Sequence, residues 1–250
     1  MANSDNLATY VLRLADDAMV LGQRISEWTS NSPNLEEDIA NSNVALDYLG
    51  RARMLYAYAA TMLDTTEDDL AFMRDAREYT NLLMHELPKG DYAFSTVRQF
   101  FIDSFDVLFF EQLVKSSDSQ LAAIAAKTVK ECQYHLRRSR DLMVRLGDGT
   151  EESHQRMQAA LDELWGYRHE LFMDDDLETD LQQQGIAINR ANLKQSWDTA
   201  INDCLAEATL SIPEADWTVV GGRSGVHSEH LGHMLDDMQC LHRSHPGVTW

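Results

Sequence analysis

The chain has 250 residues, 44% of them apolar and 25% charged, enough to bury a sizeable core and too apolar to stay disordered. Its 21 Lys and Arg stand against 41 Asp and Glu, a net charge of −20, and a field of that sign repels phosphate backbones and anionic lipid, so no nucleic acid and no membrane is expected among its partners. Only 12 glycines and 4 prolines are present, with no proline between Pro88 and Pro213, so the regularly spaced turn signals of an all-β fold are missing.

Three widely spaced cysteines, Cys132, Cys204 and Cys240, form no CxxC pair; they read as reduced thiols of a cytoplasmic protein rather than a disulfide frame or zinc knuckle. Met1–Asn6 carries no basic residue and no apolar run approaches 18 residues, so neither a secretory leader nor a membrane span is expected.

Helical periodicity begins at once. Leu7, Val11, Leu14, Ala18, Leu21, Ile25 and Trp28 recur at the spacing of one helix face, and the run ends in the loop Thr29–Pro33. A second helix is predicted from Pro33 to about Leu63, with Glu36, Glu37 and Asp38 in its first turns, where the helix dipole favours acid. Its apolar face is drawn through Ile39, Leu46, Leu49, Gly50 and Ala57. Thr65 and Thr66 cap a shorter helix, and another short piece ends at Pro88. Residues 91–116 form a third long helix that is apolar nearly all round and therefore buried. A fourth runs from Gln120 to about Leu146 and stops at Gly147-Asp148-Gly149. Thr150 caps a fifth that ends near Phe172. The acidic stretch 173–180 reads as irregular, and further helices are expected at 190–210 and 228–243. The fold class is all-α: one domain over 1–250, an antiparallel four-helix bundle over about 6–147 with additional C-terminal helices over about 150–245.

A bundle of this kind is the frame of carboxylate-bridged diiron sites, which take a Glu from two helices and a Glu-x-x-His from the other two. Acids stand at matching distances: Asp17 and Asp47 on the first two long helices, Asp103 and Glu131 on the next two. The imidazoles do not. Gly50 and Tyr134 occupy the i+3 positions, and His135 stands one residue late, near the apolar stripe of its helix. For each acid alone, an exposed charge or a cap is the competing reading. It is weakest for Asp103, because a buried carboxylate needs a partner or a metal. Arg53 falls in the middle of the drawn apolar face of the second helix and is the candidate buried counter-charge, with Lys130 beside it, against the alternative that it snorkels to solvent. The one literal Glu-x-x-His, Glu151 to His154, sits in a solvated first turn. His227, His230 and His233 have a zinc-like spacing without a completing Cys or acid; a polar helix end carrying histidines is the plainer reading. Gly221–Gly225 is glycine-rich and holds Arg223 but follows no strand, so it reads as an ordered loop rather than a phosphate cradle.

The stretches Leu14–Trp28, Leu46–Arg53, Phe101–Asp103, Lys130–Arg137, Arg145–Thr150 and Gly221–Gly232 together resemble the PaaC family, one of the components of the phenylacetyl-CoA 1,2-epoxidase of bacterial phenylacetate degradation, along the whole chain and in order. The resemblance implies a ferritin-like fold and a structural subunit with no catalytic residue and no metal of its own. Asp17, Asp47, Gly50, Asp103, Glu131 and Tyr134 are then a degenerate pseudo-site. It implies as partners a homologous diiron catalytic subunit, bound as a heterodimer or higher hetero-oligomer, the other epoxidase subunits, and a reductase with FAD and an iron–sulfur cluster that brings electrons from NADPH. The competing reading is an autonomous ferritin-like metalloprotein using Asp17, Asp47, Asp103, Glu131 and His135.

Overall fold

The computed structural model describes residues 2–214 and 217–248, with side chains from residue 5 onward. Among the described residues every regular element is helical, as the composition and periodicity predict. Contacts within the chain group it into two compact units, Met1–Pro88 with Gly221–Trp250, and Lys89–Val220.

The first unit is built on a long hairpin, α1 (Ala2–Ser26) and α2 (Leu35–Leu63). Pro33 cannot continue a helix ladder, and Asn34 behind it caps α2, its side chain accepting from the Glu37 N–H at 3.0 Å. Asp64, in the left-handed region at φ 52°, ends it. Thr66 caps α3 (Glu67–Phe72), and α4 (Leu83–Glu86) is a single turn. The chain returns to this unit at Gly221 and finishes in α10 (Glu229–Ser244). There Leu231, Met234 and Leu235 close a small apolar cluster on Val20 and Tyr79.

The second unit is also a long hairpin, α5 (Tyr92–Leu113) and α6 (Ser119–Gly147), capped by Asp91 and Asp118. Every residue from Val97 to Asp106 is buried, as the all-round apolar pattern requires. Thr150 caps α7 (Glu151–Leu164), which tightens into a 3-10 stretch, Trp165–Phe172, within the span read as one helix. The stretch read as irregular holds α8 (Asp176–Gln183), nucleated by a capping box between Asp175 and Glu178. Its eight residues are too few to show a clear periodicity. α9 (Lys194–Glu207) follows a 3-10 turn at Arg190–Leu193. Arg190 is itself buried, held by Asp174 at 3.1 Å and Glu178 at 2.6 Å.

Trp197 on α9 is the pin of this unit. It is fully buried, meets Phe101 and Phe172 edge-on at 5.3 and 5.4 Å, and donates its indole N–H to the Phe101 carbonyl at 3.0 Å. Trp197→Ala should therefore cost about 3–5 kcal/mol, measured as the shift in chemical denaturation of the whole chain.

Candidate functional site

In the first unit the ligand-spaced acid of α1 has a buried neighbour that the pattern does not single out. Asp16 is completely buried and Asp17 is 15% exposed. Asp16 accepts from the Tyr56 hydroxyl at 2.7 Å, from the Thr80 N–H at 2.9 Å, from the Thr80 hydroxyl at 3.1 Å and from both terminal nitrogens of Arg74. Arg74 in turn lies over the Tyr79 ring, 4.3 Å from its centre. Burial, with the Asp16 charge beside them, pushes the Tyr56 and Tyr79 hydroxyls well above the ordinary tyrosine range, so both stay protonated donors.

Asp17 is committed just as fully. Its Oδ1 accepts from the Leu82 N–H at 2.8 Å and from Arg223 at 3.0 Å, and its Oδ2 from Arg223 at 2.7 Å. Burial alone would raise this carboxyl, yet the Arg223 guanidinium, with His85 nearby, holds it below the usual carboxylate value. Arg223 comes from the Gly-rich loop, which is ordered as expected. The loop lies so close to its neighbours that a Cβ on Gly222 would stand 2.0 Å from the Asn81 carbonyl oxygen, while Gly225 takes φ +70° with a Cβ position 2.4 Å from the Arg77 carbonyl. The glycines serve contact with protein backbone.

Glu86 on α4 completes the set. It is fully buried and accepts from Asn81 at 2.9 Å, the Ser228 N–H at 2.6 Å and His227 Nδ1 at 2.7 Å. The other ring nitrogen of His227, Nε2, stands 2.8 Å from the Tyr79 carbonyl. Both partners can only accept, so both ring nitrogens must donate and His227 is an imidazolium. His227 thus spends both nitrogens on protein, which removes it from the zinc-like trio with His230 and His233. Three acids, Asp16, Asp17 and Glu86, are matched by Arg74, Arg223 and His227.

Two readings for α2 are corrected. Arg53 is not the buried counter-charge: its side chain is 78% exposed and pairs with Glu67 at 3.1 Å. The apolar face drawn through it is turned to solvent, with Ile39 54% and Leu46 65% exposed. The covered face runs instead through Val44, Ala45, Tyr48, Ala52, Leu55, Tyr56 and Ala59, and it carries Arg51 over the Tyr48 ring at 4.4 Å. The helix is apolar on two sides, and periodicity alone does not rank them. Asp47 and Gly50 are half-buried, and a Cβ at Gly50 would meet no atom within 4 Å. Lys130, in the second unit, is exposed.

In the second unit Asp103 is completely buried, accepting from Gln99 at 2.6 Å and from Ser139. Burial raises its carboxyl to about 6, against the opposing pull of His135, Ser139 and Gln99. His135 is buried, one residue beyond the expected ligand position. Asp106, one helical turn after Asp103 and missed by the sequence pattern, is buried with Cys132 Sγ 4.0 Å from its carboxylate. A signal for it exists: it is the other acid on a helix apolar all round. Glu131 keeps 20% exposure, 3.9 Å from Lys127. Tyr134 is 43% exposed, edge-on to His135. Lengthening the side chain at 134 does not bring a ligand inward.

These residues do not fit a metal centre. Asp17 has both oxygens engaged by a guanidinium and Tyr134 faces solvent. Among the described residues no three His, Cys, Asp or Glu side chains are grouped so as to hold an ion. What the arrangement does is bury carboxylates and neutralise them with hydrogen-bond donors and cations.

Comparison with known proteins adds a family and a relative. The family model described as "Phenylacetic acid catabolic protein" matches residues 1–250. The chain is also 45% identical, over 247 residues, to the C component of the 1,2-phenylacetyl-CoA epoxidase of Escherichia coli strain K12, a match that covers 98% of this chain and all of that protein.

The buried charges set two expectations. Arg74→Met should destabilise the protein by about 3–5 kcal/mol, because it strands Asp16 without its charge, whereas Arg53→Met, on an exposed pair, should stay within about 0.5 kcal/mol; urea melts of the two variants check the contrast. His227 titrates above its ordinary 6.5 because, although burial lowers it, the bonds to Glu86 and to the Tyr79 carbonyl raise it further. A group raised in the folded state stabilises fully below its unfolded value and loses that contribution as pH climbs through the folded one. The melting-temperature advantage of the native chain over His227→Gln should therefore be largest near pH 6 and shrink toward pH 9. An advantage constant across that range would mean that His227 is not charged in the fold.

Proposed function

The chain belongs to the phenylacetic acid catabolic protein family, and from that premise we propose that it is the structural, non-catalytic subunit of a phenylacetyl-CoA 1,2-epoxidase. In this reading a homologous helical subunit holds the diiron centre, and a separate reductase with FAD and an iron–sulfur cluster delivers electrons from NADPH. This chain supports the catalytic subunit while O₂ is spent on epoxidising the aromatic ring of phenylacetyl-CoA.

The observation that supports the reading most is the state of Asp17. In a ferritin-like frame the acid at that position of the first long helix is the one available to a metal. Here Arg223 and the Leu82 N–H take both oxygens, and the guanidinium would have to leave before an ion could enter. On α2 and α6 the i+3 positions hold Gly50 and Tyr134, neither of which offers an imidazole. The remaining inward acid, Asp103, is held by Gln99 and Ser139. Each carboxylate thus has a structural task, and a rigid scaffold has catalytic value, since misplacing a reacting group by about 1 Å can cost about a hundredfold in rate.

Reconstitution tests this. The chain alone should turn over nothing and should carry well under one iron per chain after iron-replete expression. Combined with the catalytic subunit and the reductase, it should restore consumption of phenylacetyl-CoA that depends on NADPH and O₂. Asp103→Asn and Glu131→Gln should leave the rate per assembled complex within about threefold. Loss of turnover in a complex that still assembles normally would show that these acids take part in the chemistry.

A further inference from the structure

α2 has two apolar faces, and the chain covers one of them. The uncovered face runs along Leu35, Ile39, Leu46, Gly50 and Ala57, whose spacings of four and seven residues keep them on one side of a helix. Leu35 is 69%, Ile39 54% and Leu46 65% exposed. From Leu35 to Ala57 the stripe is about 33 Å long at 1.5 Å per residue, the length of a whole helix. Gly50 leaves open space in its middle, where another backbone can come close. Alongside, within the same unit, lies a groove of about 430 Å³ lined by Met19, Leu49, Tyr56, Ala71 and Phe72, with the Arg53–Glu67 pair at its edge. Aliphatic side chains in register along a helix, beside an apolar groove, form a surface for helix-on-helix packing.

The charge around the stripe selects its occupant. Glu36, Asp38, Glu67 and Asp68 border it, with Arg53 as the cation among them, and the whole chain carries −20. Two copies placed face to face would stack these borders and double the net charge, which opposes self-association. The border suits a different helical chain that presents an apolar ridge flanked by Lys or Arg. We propose that this face of α2 is the docking surface for the helical catalytic subunit, with the ridge of one of its helices along Leu35, Ile39 and Leu46 and one apolar side chain in the adjoining groove. The proposal rests on the reading of the chain as an epoxidase subunit and deepens it by naming the surface.

The test uses full-length chain co-expressed with a tagged catalytic subunit, with the dissociation constant of the purified pair read by dilution in analytical ultracentrifugation. The double variant Ile39→Glu, Leu46→Glu puts two charges into the centre of the contact and should weaken the complex by at least about a hundredfold. Leu46→Ala alone should weaken it by about tenfold. Because these side chains are exposed, the melting temperature of each isolated variant should stay within about 2 °C of the native chain. Leu241→Glu on α10, at a position 57% exposed, should leave the affinity unchanged. If the native chain forms the complex and the Ile39/Leu46 variant forms it as tightly, the surface is wrong and the subunit reading stands. If the native chain forms no complex, the subunit reading falls and the docking proposal with it. If the isolated chain is a dimer that the same variants dissociate, a second copy is the occupant and the proposal is overturned.

Discussion

Burial of Asp16, Asp17 and Glu86 is the constraint from which the first unit is built. A carboxylate removed from water without compensation costs several kcal/mol, and each of these three is compensated from far along the chain. Arg74 reaches Asp16 across 58 residues, Arg223 reaches Asp17 across 206, and His227 reaches Glu86 across 141. Helix α1 therefore cannot pack with its acids inside until the segment 74–86 and the returning segment 221–228 are both in place. The apolar cluster of Val20, Tyr79 and Leu231 is small; the polar network specifies where α10 lies, and the apolar contacts reward it.

The same constraint connects the fold to the proposed role. A carboxylate held by a guanidinium and one held by a metal meet the same electrostatic demand, neutralisation of a buried charge. On α1 the sequence meets it with Arg223, delivered by a loop whose Gly222 and Gly225 let it lie directly against the backbone at Asn81 and Arg77. In the second unit Asp103 meets it with neutral donors and a partly suppressed charge. A helical frame retains its buried acids in this way, and with them its geometry, without holding an ion. Such a chain is suited to bracing a partner.

Much of the fold is legible in the sequence because long helices with clean caps announce themselves. Asn34, Thr66, Asp91, Asp118 and Thr150 each cap the helix that follows, and the all-round apolar pattern of α5 correctly marks Asp103 as buried. The candidate site is legible in part. The spacing of the acids and the missing imidazoles can be read directly, and His135 does lie inside. The cations cannot be paired with their acids, because pairing across 58 to 206 residues leaves no local trace. The pattern favours Arg53 over Arg51 because α2 offers two apolar stripes, and the uncovered one has the larger aliphatic residues. The covered stripe is marked by Tyr48 and Tyr56, whose hydroxyls disguise how deeply they lie. Asp16 is passed over for Asp17 because the diiron template asks for one acid per helix at a fixed distance, and it does not ask what the adjacent acid is doing.

The claim on which this account turns is that Asp17 is tied to Arg223. A double-mutant cycle on the stability of the full chain, with Asp17→Asn, Arg223→Gln and the pair, isolates that bond from everything else each residue touches. A coupling energy of about 2 kcal/mol or more is the result expected for a two-point, largely buried ion pair. A coupling indistinguishable from zero would mean that the carboxylate is free of the guanidinium, and would return Asp17 to the set of residues available for a metal.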